Sequence, residues 1–307
     1  MRLLIKRKQL IFSDSSCKQH QCPVPIRISS SIYRIFFADR DNDNHSKIKY
    51  FDFCLNKRKI IYYNNLIIAN SINSHYDMDG KIPSSILYFN NEYYLFYTGI
   101  NAGKKFPYHN SIGVLKSKDL QSFNLLTYDP IIPSNSIKKN HFNSAGNIFR
   151  YKNLFYLFYS SCDEWRVISN SNEPIYNIKL ATSVDLREWN FQKNQIIRKG
   201  DDIGGAVNFS IVNINQFFIA FSSIRKMTDY RINKNSAYKI RSFQSKDLYN
   251  WDPLDIEYED DSLESNWDNI MRCYPSAILH DNTIFIFFNG NGFGKSGIGL
   301  AEVDIII

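Results

Sequence analysis

One short pattern recurs along the chain, an Asn or Ser followed by an aromatic or aliphatic run that ends in a small or polar residue. It reads Asn91-Glu-Tyr-Tyr-Leu-Phe-Tyr97, Asn153-Leu-Phe-Tyr-Leu-Phe-Tyr159, Asn215-Gln-Phe-Phe-Ile-Ala-Phe221 and Asn282-Thr-Ile-Phe-Ile-Phe-Phe288, with Ser31-Ile-Tyr-Arg-Ile-Phe-Phe37 as a fifth copy. The starts at 31, 91, 153, 215 and 282 are 60, 62, 62 and 67 residues apart. Self-similarity at a fixed period of this size marks an array of equivalent units, each unable to bury its apolar surface alone. A second pattern falls between the first: Ser117-Lys-Asp119-Leu-Gln-Ser-Phe123, Ser183-Val-Asp185-Leu-Arg-Glu-Trp189 and Ser245-Lys-Asp247-Leu-Tyr-Asn-Trp251. A third precedes the first by about eight residues, as Pro83-Ser-Ser-Ile-Leu87 and Pro275-Ser-Ala-Ile-Leu279, with Pro23-Val-Pro-Ile-Arg27 a looser copy.

Each unit therefore predicts strand, short turn, strand, loop, strand, Ser-x-Asp turn, strand. Short strands repeated radially define a β-propeller. The fold expected is all-β: one five-bladed propeller domain over 1–307, with blades near 13–69, 70–132, 133–197, 198–258 and 259–307. The last unit lacks a fourth strand after Gly297–Asp304, and Leu3–Phe12 is left over at the start. The prediction is that residues 3–12 complete the last blade and cover its edge. The chain is 44% hydrophobic and 15% aromatic, with 20 Tyr and 23 Phe, enough apolar surface for five inter-blade interfaces.

The predicted turns between first and second strands (90–91, 152–153, 281–282) and at Lys118–Gln121 are tight. The loops 98–110, 160–176, 223–236 and 289–296 and the connections 70–80, 133–143, 198–205 and 259–272 are longer and polar. Both long sets leave on the same side, around the axis, so function is expected at that mouth.

The net charge of +7 is dispersed, apart from Lys6–Arg7–Lys8, which reads as solubility and not as a nucleic-acid surface. The five cysteines, Cys17, Cys22, Cys54, Cys162 and Cys273, form no CxxC pair and have no His at zinc spacing. No metal, cofactor, signal peptide, membrane span or nucleic-acid partner is expected, and the reading is of a cytoplasmic protein.

The repeats resemble the five-bladed propeller enzymes that act on sugars: glycoside hydrolase family 43, the invertase and levansucrase clan, and the β-mannoside phosphorylases of family 130. They resemble more closely a group of uncharacterised bacterial glycosyl hydrolase-like propellers associated with surface-polysaccharide genes. The matching stretches are Arg34-Ile-Phe-Phe-Ala-Asp-Arg40-Asp41-Asn-Asp-Asn44, Asn110-Ser111-Ile112-Gly113, Cys273-Tyr274-Pro275, and Asn289-Gly-Asn-Gly-Phe-Gly-Lys295-Ser-Gly-Ile-Gly-Leu-Ala301. The resemblance implies a sugar or an activated, phosphate- or nucleotide-linked sugar as substrate, with a glycan acceptor. The family 43 triad, one acid on the inner strand of each of the first three blades, does not carry over. Gln19–Arg27 and His141–Arg150 contain no carboxylate, and only Asp77 and Asp79 stand in the second blade. Ile270 replaces a Glu common in the closer group, and the Arg-Pro of its fourth inner strand is replaced around Asn208–Phe209.

The candidate catalytic residues are the carboxylates Asp41, Asp77, Asp79 and Asp268. Asp41 and Asp79, from adjacent blades, can supply the paired carboxyls of a glycosidase. Candidate substrate contacts are Arg40, a fork for hydroxyls or phosphate, with Asn44, His109, Asn110, Arg225, Arg272, Asn291 and Lys295. Lys104 and Lys105 add positive potential, and Trp165 and Tyr108 offer aromatic platforms for a sugar ring. Gly290-Asn-Gly292-Phe-Gly294 looks like a phosphate loop, but a strand follows it where the motif needs a helix. The Ser-x-Asp repeats fall at the tight-turn face and read as structural. Basic candidates and a lost triad favour glycosyl transfer or phosphorolysis; the alternatives are a hydrolase using paired Asp, and a non-catalytic glycan-binding propeller.

Overall fold

A computed structural model describes residues 1–68, 75–103, 107, 109–134, 142–168, 170–197, 203–259 and 265–306. Apart from one four-residue helical turn, the regular structure is β. After β1 (Arg2–Phe12) comes a first antiparallel run, β2 (Gln19–Arg27), β3 (Ile32–Arg40), β4 (Ser46–Cys54) and β5 (Lys59–Asn65), and then β6 (Ile67–Ile68). A second run contains β7 (Gly80–Phe89), β8 (Glu92–Ile100), β9 (Ser111–Ser117) and β10 (Ser122–Leu125). A third contains β11 (Asn143–Tyr151), β12 (Leu154–Ile168), β13 (Ser171–Ser183) and β14 (Asn190–Phe191). A fourth contains β15 (Ile203–Ile214), β16 (Phe217–Lys226), β17 (Lys239–Ser245) and β18 (Asp252–Leu254), followed by β19 (Ile256–Tyr258). The last contains β20 (Cys273–His280), β21 (Thr283–Asn289), α1 (Asn291–Gly294) and β22 (Ile298–Ile306).

As anticipated, β1 lies antiparallel to β22, from Arg2 opposite Ile306 to Phe12 opposite Ile298. Its far edge takes β19 in parallel, just as β10 takes β6. The first strands contact one another in order, β2 to β7, β7 to β11, β11 to β15, β15 to β20, and β20 back to β2. That cyclic order is the arrangement of a propeller.

The second strands explain why the repeated runs are continuously apolar. In a strand successive side chains point to opposite faces, and here both faces are covered by neighbouring sheets. Leu95 and Tyr97 pack with Phe36 and Tyr50 of the first run, while Phe96 packs with Phe155 and Leu157 of the third. Phe158 meets Phe209 and Phe218; Ile219 and Phe221 meet Ile284 and Ile286; Phe285 and Phe287 meet Tyr33 and Ile35. The core is thus a cycle of inter-sheet layers, each fully buried aromatic contributing about 1.5–3 kcal/mol. The fourth repeat is displaced by one residue from its sequence alignment: Asn215–Gln216 form the turn, because Ile214 pairs with Phe217.

The three Ser-x-Asp turns are superimposable in chemistry. Ser117, Ser183 and Ser245 each accept the N–H groups two and three residues on, and Asp119, Asp185 and Asp247 do the same. Leu120, Leu186 and Leu248 take the left-handed conformation, with φ of 60°, 65° and 68°. The backbone N–H bonds depress the carboxyl pKa of Asp119 and Asp185. Phe123 and Trp251 pack between sheets, on Phe36 and on Phe158 and Phe209.

Two features differ from expectation. Residues 160–176, read as a polar loop, are mostly an extension of the β12–β13 hairpin, with Trp165 opposite Pro174 and Val167 opposite Asn172. The extension stands beyond the sheet with little apolar patterning to mark it; Val167 is 75% exposed. The 289–296 loop contains α1, in which Gly292 and Phe293 have φ of 65° and 58°.

Candidate functional site

The first strands begin where the second strands end: Gln19 faces Arg40, Gly80 faces Ile100, Asn143 faces Ser161, Ile203 faces Lys226, and Cys273 faces Asn289. Every first strand carries a register shift near this end, and Cys22, Ala145, Asn208 and Tyr274 there have positive φ. A bulge re-aims one residue and leaves a backbone group unpaired. The neighbouring sheet answers that need. Thr98 Oγ1, Ser223 Oγ and Asn289 Oδ1 accept the N–H of Ala145, Tyr274 and Cys22, the bulge residues of the next sheet. Thr98, Ser160, Ser223 and Asn289 occupy one repeat position, opposite Ile112, Ile178, Ile240 and Ile298. They are the small polar residues that end the sequence repeat, and they tie the sheets together around the axis.

Arg40, Asp41, Asn44 and Asp79 lie together between the first and second runs. The Asp79 carbonyl accepts the Ser46 N–H at 3.0 Å, joining the two sheets. Asp41 shapes its turn by accepting the His45 N–H on Oδ1 at 2.8 Å, and Asp79 Oδ2 accepts the Ala102 N–H at 2.6 Å. The remaining oxygens lie on opposite edges of the His45 ring: Nδ1 is 3.7 Å from Asp41 Oδ2 and Nε2 is 3.9 Å from Asp79 Oδ1. His45 was not among the sequence candidates, since its only sequence signal is adjacency to Asn44. Asn44, at φ 68°, accepts from Lys18 Nζ at 2.7 Å. Asp77 is fully buried, paired with Lys81 at 3.1 Å and accepting from Tyr97 at 2.9 Å, which places it beneath this group and not in it.

The candidates of the last two runs have other partners. Asp268 is fully buried between Lys8 Nζ at 2.6 Å and Arg272 Nε at 2.8 Å, with Lys8 and Arg272 stacked on Tyr258. This ion triad fastens β1 to the last run and engages both Asp268, expected as a catalytic carboxylate, and Arg272, expected as an anion clamp. Arg225 is 2% exposed, lies 3.8 Å from the Tyr230 ring centroid, and donates to Tyr176 Oη and to the Pro174 and Lys226 carbonyls. It braces a cluster of Phe142, Tyr176, Tyr230, Tyr238 and Phe293, where half-buried Trp165 packs edge-on against Phe142. Glu173, which sequence reading missed, is buried there; burial opposes its ionisation, but Arg231 and Tyr230 hold its pKa below the usual carboxylate value. Asn291 is occupied as a brace, accepting from Ile270 and Met271 and donating to Asn266 and Asn269.

Lys295 is exposed in the same loop, and His109 is half-buried beside buried Asn110. Lys104, Lys105 and Tyr108 lie outside the described residues. Among the described residues no group of three His, Cys, Asp or Glu is disposed to hold a metal ion, and no helix is long and apolar enough to cross a membrane.

Seven buried side-chain polar atoms among the described residues lack a hydrogen-bond partner: Gln21 Oε1, Arg40 Nε, Ser46 Oγ, Asp77 Oδ1, Asn110 Oδ1, Asn208 Oδ1 and Trp189 Nε1. Leaving such an atom unsatisfied costs about 1–3 kcal/mol, so folded proteins pair nearly all of them. All but Trp189 belong to the mouth end of the sheets. Gln21, Ser46 and Asn208 were not among the candidate site residues; the strand ends and bulges on which they sit identify them.

No family model matches the sequence. Two Mycobacterium tuberculosis proteins, "Uncharacterized protein Rv1502" and "Uncharacterized protein MT1551", are each 25% identical over 294 and 295 residues, covering 95% of this chain and 94% of their own. Among solved structures, a "Glycoside hydrolase" superposes with a TM-score of 0.71 at 14% identity, covering 99% of this chain and 92% of its own. A thermostable family-43 glycoside hydrolase gives 0.67 at 13% identity over 93% and 89%. Bacillus subtilis levansucrase in complex with oligosaccharides gives 0.67 at 13% identity over 97% and 87%. In fold, the chain is a glycoside hydrolase-like β-propeller.

Proposed function

We propose that the protein is a single five-bladed propeller domain, each antiparallel run one blade, which binds carbohydrate at the axial mouth and cleaves a glycosidic bond there with Asp41 and Asp79. The observation that carries this reading is the meeting of two carboxylates from adjacent runs at His45, each with one oxygen held by a backbone N–H and the other turned to the shared imidazole. Sugar binding by structural neighbours such as the levansucrase supports the substrate class. Asp41 and Asp79 each have one oxygen tied by a backbone N–H and the other directed at His45. Carboxylates on opposite edges of one imidazole suit the wider spacing of about 6.5–9.5 Å, which leaves room for a water between base and sugar. One carboxylate would activate that water while the other protonates the leaving oxygen, giving inversion at the anomeric carbon.

The test is release of reducing ends from a panel of oligosaccharides without phosphate or nucleotide. Asp79→Asn and Asp41→Asn should each lower kcat by about 10²–10⁴-fold. Glycan binding that survives the double replacement, with no turnover by the parent protein, would instead make this a binding module. A second reading, glycosyl transfer or phosphorolysis from a phosphate-bearing sugar, is favoured by the half-buried guanidinium-bearing Arg40 at the end of β3, next to Asp41. It carries with it a cytoplasmic role in bacterial surface-polysaccharide metabolism, and it predicts turnover that saturates with added phosphate or sugar nucleotide and is lost in Arg40→Gln.

A further inference from the structure

The His45 ring stands where the proposed reaction needs its substrate. Its backbone is fixed: the N–H donates to Asp41 Oδ1 at 2.8 Å and the carbonyl accepts the Asp41 N–H at 3.0 Å. The ring is not fixed in the same way. Nδ1 is 3.7 Å from Asp41 Oδ2 and Nε2 is 3.9 Å from Asp79 Oδ1, both beyond hydrogen-bond length, and the side chain is 52% exposed. Among the described residues the ring makes no hydrogen bond. Two other histidines show how a ring is held in this protein. His20 is bonded at both nitrogens, to Asp39 at 2.5 Å and to the Asp14 carbonyl at 2.7 Å, and His280 meets the Tyr33 hydroxyl at 3.0 Å; both are buried. A side chain exposed to solvent changes rotamer in picoseconds to nanoseconds. The His45 ring can therefore leave its place while its loop stays fixed.

In an inverting glycosidase the attacking water and the anomeric carbon lie between the two carboxyls. Here that gap holds an imidazole, which turns one ring edge to each carboxylate. A sugar ring and the imidazole cannot share it. We infer that His45 is a displaceable place-holder for the sugar ring, seated between Asp41 and Asp79 and turned aside as glycan binds, so that it sets affinity and takes no part in bond cleavage. This role rests on Asp41 and Asp79 being the paired carboxyls of the proposed reaction. Its effect on affinity follows from occupancy. A site that is competent for about one-tenth of the time binds its ligand about tenfold more weakly than one that is always competent.

The experiment is steady-state hydrolysis of the oligosaccharide panel by the parent protein, His45→Ala, His45→Ser and Asp79→Asn. Both His45 replacements should lower KM about three- to tenfold and leave kcat no lower, since the competing ring is gone and the carboxylates stay. A kcat at least about tenfold lower in both would make the ring a participant in the reaction, and an unchanged or raised KM would mean that it does not stand in the way of the sugar. Either result overturns the place-holder, while Asp79→Asn, inactive in the same assay, keeps the paired carboxyls. Turnover that survives in Asp79→Asn, or none by the parent protein, overturns both.

Discussion

Asp39 holds together a buried charged cluster, and its replacement should destabilise the protein in a pH-dependent way. Its carboxylate is 5% exposed and accepts from His20 Nδ1 at 2.5 Å and from Cys17 Sγ at 3.1 Å, with Lys49 Nζ also in contact. The other His20 nitrogen lies 2.7 Å from the Asp14 carbonyl. Both ring nitrogens thus face acceptors, so both carry protons and the imidazole is a cation. Burial disfavours that charge, but the bonds to Asp39 and Asp14 outweigh it and raise the His20 pKa. Burial likewise opposes ionisation of Asp39, yet His20, Lys49 and Cys17 bring its pKa down to about 2 from 3.8. At about 1.4 kcal/mol per unit, Asp39 contributes on the order of 2 kcal/mol above about pH 4, which disappears as the pH falls toward 2. The His20 contribution runs the other way, complete below about pH 6.5 and lost as the pH rises through its elevated value. In Asp39→Asn the buried His20 cation and the half-buried Lys49 lose their counter-charge, a change that costs about 3–5 kcal/mol. The His20 pKa should then fall below its ordinary value, so the deficit is largest near pH 5 and shrinks toward pH 8.5 as the ring becomes neutral. Urea unfolding followed by tryptophan fluorescence at about pH 5, 7 and 8.5 measures it. A deficit that is the same at all three values, or below about 1 kcal/mol at pH 5, would refute the argument.

Lys8→Ala should remove a similar amount, about 3–5 kcal/mol, because Asp268 stays buried with only Arg272 beside it; the companion Asp268→Asn should lose stability without a specific loss of turnover, and turnover lost at full stability would return Asp268 to the catalytic set. Gly113→Ala should destabilise by about 1–3 kcal/mol, since a Cβ there overlaps the Tyr76 hydroxyl and the Tyr97 ring that carry the hydrogen bond to Asp77; unchanged thermal unfolding would contradict that packing. Ser245→Ala should cost about 1–2 kcal/mol by freeing the Asp247 and Leu248 N–H groups, with ligand affinity at the opposite face unaltered.

Much of the fold was legible from local pattern, and for a local reason. A second strand between two sheets must be apolar on both faces, so runs such as Leu154–Tyr159 stand out from polar turns, and a Ser-x-Asp turn satisfies its own backbone within four residues. The displaced alignment at Asn215 and the long β12–β13 hairpin were not legible. One depends on which residues pair across a turn, the other on a hairpin extension that carries exposed side chains such as Val167.

The site divides along the same line. Sequence brought out Arg40, Asp41, Asn44 and Asp79 as polar residues at strand ends, and the structure assembles these four beside one another. It could not bring out His45, because the closeness of two carboxylates to one imidazole depends on loops from different runs. Nor could it tell Asp79 from Asp268, two aspartates in similar loops. One keeps an oxygen toward the mouth, and the other is enclosed by a lysine some 260 residues away in sequence, delivered by β1. The sequence by itself determined the repeat, the turns and which face would carry polar loops, since these follow from side-chain period and local hydrogen bonding. Only tertiary structure decided which charged groups are spent on one another and which are left to meet a ligand, because that depends on burial and on partners supplied from distant parts of the chain.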